Sequence, residues 1–149
     1  MRIRGFLNRD YEPPAPFIKV LLISKDSNIH KFLDLHIDTG ASSKIILDKD
    51  ARYIGLDIKS LKKAKRNIGG IGGLIDTYLI KDAIIIFKTE EGMLYEERLN
   101  QLVGVHKLNK LTEEERRLIM RFPSLLGRNV LRKFRLIYDE RSNEVFMES

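Results

Sequence analysis

Apolar and polar residues alternate in short runs along most of the chain, the period-two pattern of half-buried strands. Residues 17–24 are apolar and β-branched, Lys25-Asp26-Ser27-Asn28 has turn chemistry, and residues 29–37 resume as a second strand. In that strand Ile29, Leu33, Leu35 and Ile37 share one face, interrupted by Lys31, while His30, Phe32, Asp34 and His36 share the other. Residues 43–47 are short and apolar. Asp48 then predicts the N-cap of a helical turn through Ala51 and Ile54, stopped by Gly55. Residues 77–87 and 93–103 read as one long hairpin around Thr89-Glu90-Glu91-Gly92. Thr112 and Glu115 form a capping box that starts a helix running to about Met120, with Pro123 ending it. Leu111, Leu118 and Ile119 are its inward-packing candidates, and its Glu-Arg surface reads as a solvated face. A second short helix is predicted over residues 129–134, and residues 135–138 and 144–147 close the chain as a hairpin.

The first sixteen residues differ from the rest. They are charged and then proline-rich at Glu12-Pro13-Pro14-Ala15-Pro16, which predicts a stiffened arm over 1–16 before one domain over 17–149. The whole is mainly β with a few short helices, and many closely spaced strands favour a barrel-like or sandwich arrangement.

Composition narrows the chemistry. A chain of 149 residues fits one domain. It has no Cys, hence no disulfide framework, no Cys zinc site and no thiol nucleophile. His30, His36 and His106 are too far apart in sequence to suggest a metal cluster, so no metal or cofactor is expected. The net charge of +6 raises the question of nucleic acid. The basic run at 59–66 contains no aromatic residue, and acids such as Glu90-Glu91 and Glu113-Glu114-Glu115 are interspersed with bases elsewhere. The charge therefore reads as a solvated surface, and no nucleic acid is expected. No apolar run approaches the ~20 residues that span a bilayer, and no signal-peptide pattern opens the chain. Cytoplasmic localisation without membrane association is the expectation.

Three segments carry candidate chemistry. In Leu35-His36-Ile37-Asp38-Thr39-Gly40-Ala41-Ser42 an acid ends an apolar strand and is followed by small residues and glycine. Asn67-Ile68-Gly69-Gly70-Ile71-Gly72-Gly73-Leu74 places four glycines around one isoleucine. It lacks the Gly-Lys-Ser/Thr of a phosphate loop, and it opens into a strand-like run where a dinucleotide loop would open a helix. Leu125-Leu126-Gly127-Arg128-Asn129-Val130-Leu131 is an apolar strand turning into a helix at glycine. Each has an ordinary structural reading on its own: a strand end, a hairpin tip, a strand-to-helix turn.

In this order the three segments resemble the retroviral-type (retropepsin-like) aspartic proteases, which show an Asp-Thr-Gly-Ala turn, a glycine-rich flap and an apolar-apolar-Gly-Arg-Asn/Asp segment. The stretches around Ile45-Ile46-Leu47, Ile54-Gly55-Leu56 and Phe134-Arg135-Leu136-Ile137-Tyr138-Asp139 are similar to cellular members of that family. The resemblance spans roughly Phe17 to Met147, with an insertion between about Lys88 and Phe122 whose helical part falls around 104–122. It implies a closed or partly open acid-protease barrel with a flap hairpin and short helices, one lobe per subunit.

The resemblance also implies roles. Asp38 would be the catalytic acid/base, Thr39 would bond across a dimer axis, and Gly40 would place its backbone near carboxylates and substrate. Ile71, freed by Gly69, Gly70 and Gly72, matches the flap tip. Ala41, Ser42, His36 and Leu125 match substrate-side positions, and Arg128 and Asn129 support the site. Two carboxylates sharing one proton can activate water and protonate the departing amide. Only one such motif is present: Asp76-Thr77-Tyr78 and Asp82-Ala83-Ile84 do not fit. A two-fold homodimer would supply the second Asp38. The chain departs from viral relatives in one respect. They carry an acid soon after the turn that pairs with the arginine matching Arg128, where this chain has Ser42 and Ser43. Two rivals remain: a catalytically silent peptide- or protein-binding module on the same fold, and a basic nucleic-acid-binding β-barrel.

Overall fold

The antiparallel pair read from residues 17–37 is the spine of the molecule. The computed structural model describes residues 1–64, 75–98 and 100–149. In it β3 (Ala15–Ser24) pairs with β4 (Ile29–Ile37) from Ser24 opposite Ile29 to Phe17 opposite His36. Alternation along β4 does what the pattern requires: Ile29, Leu33, Leu35 and Ile37 are buried, while His30, Phe32 and Asp34 face outward. Before this pair come β1 (Arg2–Arg4) and β2 (Phe6–Asn8). After it come β5 (Ile45–Ile46), α1 (Asp48–Tyr53), β6 (Lys62–Lys63), β7 (Ile75–Ile80), β8 (Ile84–Lys88), β9 (Leu94–Glu97) and β10 (Gln101–His106). Last are α2 (Glu113–Ile119), β11 (Leu125–Leu126), α3 (Arg128–Leu131), β12 (Arg135–Asp139) and β13 (Glu144–Glu148).

One sheet runs β6-β7-β10-β5-β11-β4-β3-β8-β9, with β2 also on β3, and a second sheet is β1-β13-β12. Ile18, Val20, Leu22, Ile37, Ile46, Ile85, Phe87, Val103, Leu126 and Met147 form the buried centre between them. The proline-rich arm belongs to these sheets at both ends, because β1 pairs with β13 and β2 pairs with the start of β3.

Four local readings change. The single long hairpin is two strand pairs. Ser24 Oγ donates to Asp82 at 2.6 Å and the Asp26 amide donates to the same carboxylate at 3.0 Å, which draws residues 81–83 into a turn. That turn ends β7 and releases β8 to pair with β3 and β9, while β7 pairs with β10. Gly92, at φ +83°, closes the tight β8–β9 turn.

Asp48 is not the N-cap of α1. Leu47 holds that position, with no side-chain cap. The Asp48 carboxylate instead accepts from the His106 amide at 2.8 Å and meets its Nδ1 at 2.6 Å, giving a buried imidazole and amide the partner that burial demands. Gly55 stops α1 at φ +68°.

The capping box at Thr112 and Glu115 forms as read. Leu118, however, is exposed and only Ile119 is buried, since adjacent positions lie about 100° apart on a helix and a short one buries a narrow stripe. Finally, α3 starts one residue earlier and ends sooner than 129–134, leaving Phe134 to pack on the core as part of the link to β12. Among the described residues no helix is long and apolar enough to cross a membrane.

Candidate active site

Asp38 leaves the end of β4, whose last residue, Ile37, is buried and paired in parallel with Leu126 of β11. The Asp38 amide donates to the Leu126 carbonyl at 3.1 Å, so the acid is positioned by the sheet before the turn begins. β11 lies between β4 and β5, and the chain therefore crosses over it between residues 38 and 44. Within this crossing the Asp38 carbonyl accepts from the Ala41 amide at 3.2 Å. The Asp38 carboxylate Oδ1 accepts from the Gly40 amide at 2.8 Å. A Cβ on Gly40 would stand 3.1 Å from that oxygen, a tight contact that glycine avoids. The Asp38 side chain is half-buried, held at one oxygen, with Thr39 and Gly40 exposed beside it.

The turn is fastened from below by the first residues of α3. Arg128 Nη1 donates to the Thr39 carbonyl at 2.8 Å, and the Arg128 amide donates to the Ala41 carbonyl at 2.9 Å. The Asn129 amide donates to the Ser42 carbonyl at 3.0 Å, and Asn129 Oδ1 accepts from the Lys44 amide at 3.0 Å. Arg128 thus finds backbone partners where the sequence offers Ser42 and Ser43 and no acid. The guanidinium bond to Thr39 couples α3 directly to the tip of the turn.

The other site residues fall around this network. His36, two residues before Asp38, is half-buried with its ring 5.4 Å from that of Phe17, which Tyr11 and Phe6 flank in turn. Its pKa is held below the usual histidine value, chiefly by desolvation, with the charge of Asp38 pulling the other way. The neutral ring is therefore the form the fold favours. Leu125, opposite His36 in register, packs with Ile45 and Leu47, and Ala41 and Phe122 close over them. Gly69, Gly70, Ile71 and Gly72 lie outside the described residues.

One supporting residue was not singled out from the sequence. Lys44 is fully buried directly behind the turn, and its Nζ donates to Gln101 Oε1 at 2.9 Å and the Asn100 carbonyl at 3.3 Å. The signal was available: Lys44 shares a strand face with Ile46 in a run otherwise apolar. Burial lowers its pKa from 10.5 to about 8, with Glu97 opposing. The unfolded chain keeps the higher value, so between pH 8 and 10.5 it binds more protons than the folded one and stability rises with pH. Below pH 8 both states are protonated and the full penalty, about 3 kcal/mol, applies. We expect the urea midpoint to climb from pH 8 to about 9.5, below the range where tyrosines titrate. Lys44→Met should flatten that climb; an unchanged slope would show that another group is responsible.

No family model matches the sequence, and no curated protein matches it. Solved structures do. A retropepsin-like aspartic protease from Rickettsia conorii is similar over 99% of this chain and 89% of its own, at 19% identity and a TM-score of 0.56. EIAV protease in complex with the inhibitor HBY-793 is similar over 80% of this chain and 86% of its own, at 22% identity and a TM-score of 0.43. The retroviral protease-like domain of Ddi1 from Leishmania major is similar over 89% and 94%, at 13% identity and a TM-score of 0.46. The first of these carries the assignment: the chain has a retropepsin-like fold.

Proposed function

We propose that the protein is a homodimeric aspartic endopeptidase that works in the cytoplasm on extended polypeptides. The observation that supports this most is the fastening of the Asp38 turn, whose half-exposed carboxylate is aimed by the Gly40 amide and whose tip is tied to Arg128. The rival reading is a catalytically silent peptide- or protein-binding module on the same fold.

Two such turns meeting at a two-fold axis bring Asp38 of each subunit together. Like charges at that distance keep one proton between them, so one carboxyl is acid while the other is base. The base takes a proton from a water as its oxygen attacks the scissile carbonyl, and the acid protonates the carbonyl oxygen. The resulting diol collapses, its C–N bond breaks, and the amide nitrogen leaves with a proton from the dyad. Thr39 bonds across the axis and keeps the two turns in register. Gly40, Ala41 and Ser42 line the substrate side, as does His36, with Leu125 packed behind them. A substrate is held by strand-like backbone bonds; Gly69, Gly70, Ile71 and Gly72, the flap expected from the sequence, lie outside the described residues.

The test is incubation of the pure protein with an unfolded polypeptide across pH 3–7, with and without pepstatin, at several protein concentrations. Cleavage blocked by pepstatin is expected, with specific activity falling on dilution because two chains make one site. Absence of cleavage at every pH by a protein that sediments as a dimer would favour the silent binding module.

A further inference from the structure

We infer that the outer face of the larger sheet, over β3, β4, β8 and β9, is a docking surface for an extended acidic segment of another polypeptide carrying a bulky apolar side chain. This surface is independent of Asp38 and stands whether or not the chain cleaves peptides.

Strand register builds it. Leu21 of β3 lies opposite Phe32 of β4 on one side and opposite Ile86 of β8 on the other. Lys88, two residues beyond Ile86 and on the same face, lies opposite Leu94 of β9. Between them runs a trough of about 700 Å3, with Leu21 and Ile86 as its floor and Phe32 and Leu94 as its walls. Phe32 is 61% exposed and Leu94 67%, and Met93, the residue before Leu94, is 70% exposed. A sheet with one wet face normally turns polar side chains to the water. Large apolar side chains left there around one hollow, with charged residues at the rim, mark a contact surface.

Charge selects the partner. Arg4, Lys19 and Lys88 line the trough against a single acid, Glu90. The acids on and around this face are already answered within the chain: Glu90 by Arg4 at 2.8 Å, Asp34 by Lys19 at 2.9 Å and Glu96 by Arg98 at 2.6 Å. Lys88 has no acid partner among the described residues. Exposed pairs of this kind are weak, so Arg4 and Lys19 can also serve an incoming carboxylate. On a chain of net charge +6 the trough attracts acids and repels bases.

Shape favours a polypeptide. A second hollow of about 360 Å3 shares Phe32 and Lys19 with the trough and reaches Tyr53 at the end of α1. Phe32 is thus a ridge between two shallow hollows, which suits an extended chain lying across it; a compact small molecule needs enclosure. Single-stranded nucleic acid needs several aromatic platforms, and Phe32 is the one aromatic residue among the described residues lining the trough. A second copy of this chain could offer α2, where Leu118 is exposed. Its acids are engaged, however: Glu113 by Arg117 at 3.1 Å and Glu115 by the Thr112 amide at 3.2 Å. Six residues of chain, about 20 Å when extended, separate Phe32 from Asp38, so the trough is distinct from the catalytic turn.

The probe is a fluorescent peptide, Gly-Ser-Glu-Asp-Leu-Phe-Glu-Asp-Ser-Gly, titrated at neutral pH with the full chain carrying Asp38→Asn so that it is not cut. Anisotropy should give a Kd below about 100 μM, weakening as salt is raised. Phe32→Ser and Lys88→Glu should each weaken binding about tenfold. Both side chains are exposed, so the thermal midpoints of these variants should match the parent's. Peptides with lysine for the four acids, or with serine for the Leu-Phe pair, should bind at least about tenfold more weakly. A Kd above about 1 mM, equal binding of the basic peptide, or binding that both substitutions leave unchanged would overturn the proposal. So would displacement of the peptide by pepstatin, which would place it at the Asp38 turn. An oligonucleotide that binds more tightly than the peptide and is lost with Phe32→Ser would assign the trough to nucleic acid instead. Larger assemblies of the parent chain that Phe32→Ser abolishes would assign it to a second copy.

Discussion

Asp38→Asn should remove peptide hydrolysis, lowering kcat/KM by about 10^3-fold or more, while leaving the fold intact. In a homodimer a single substitution replaces both carboxylates, so neither the base that takes the water's proton nor the acid that supplies one to the amide survives. The carboxamide keeps the size of the acid, and its Oδ1 can still accept the Gly40 amide bond that spans 2.8 Å in the parent. The Leu126 carbonyl still holds the backbone amide of residue 38. Stability is therefore expected to change by less than about 1 kcal/mol. The measurement is initial rate on an unfolded polypeptide beside a thermal melt and a peptide-binding titration. Lost cleavage with retained binding supports the proposed chemistry. Full activity in the variant would mean that Asp38 has no part in it.

Gly127→Ala should destabilise the protein by roughly 3–5 kcal/mol, a large share of what a domain of this size has in total. Gly127 has φ −97°, which alanine adopts freely, so the cost is not conformational. It is steric: a Cβ there would lie 2.5 Å from the Ser43 carbonyl oxygen and 2.6 Å from the Ser43 nitrogen and carbonyl carbon. Ser43 cannot step aside cheaply, because the flanking Ser42 carbonyl and Lys44 amide are both bonded to Asn129. Relief would come by lifting the turn off α3, which would misplace Asp38 and Arg128 together. Urea unfolding gives the magnitude. A loss of less than about 1 kcal/mol would mean that the crossing loop is far more pliant than its four bonds to α3 suggest.

These two residues illustrate what could be read in advance. Asp38, with its small neighbours at the end of an apolar strand, declared itself by type and order, as did the Gly127-Arg128-Asn129 segment. Their relation did not. That Gly127 is needed for close approach to Ser43, and that Arg128 answers the Thr39 carbonyl where an acid is missing, depends on residues about 85 positions apart in the chain meeting in space. Asp48 carries the same lesson. Its helix-start chemistry was visible, and a buried imidazole 58 positions away claimed its carboxylate instead. The long hairpin failed because Asp82 found Ser24 and Asp26 across 58 and 56 positions, a pairing no local pattern announces.

The sequence by itself determined what is governed within a few residues: the period-two faces of β4, the turn between β3 and β4, the Thr112–Glu115 box, the stop at Gly55 and the small-residue turn after Asp38. These follow from backbone preference and alternation, which act locally. Tertiary structure decided which strand each segment pairs with, how Arg128 and Asn129 grip the turn, and that Lys44 and the Asp48–His106 pair are buried. Those outcomes turn on where buried polar groups find partners, and that is a property of the packed chain.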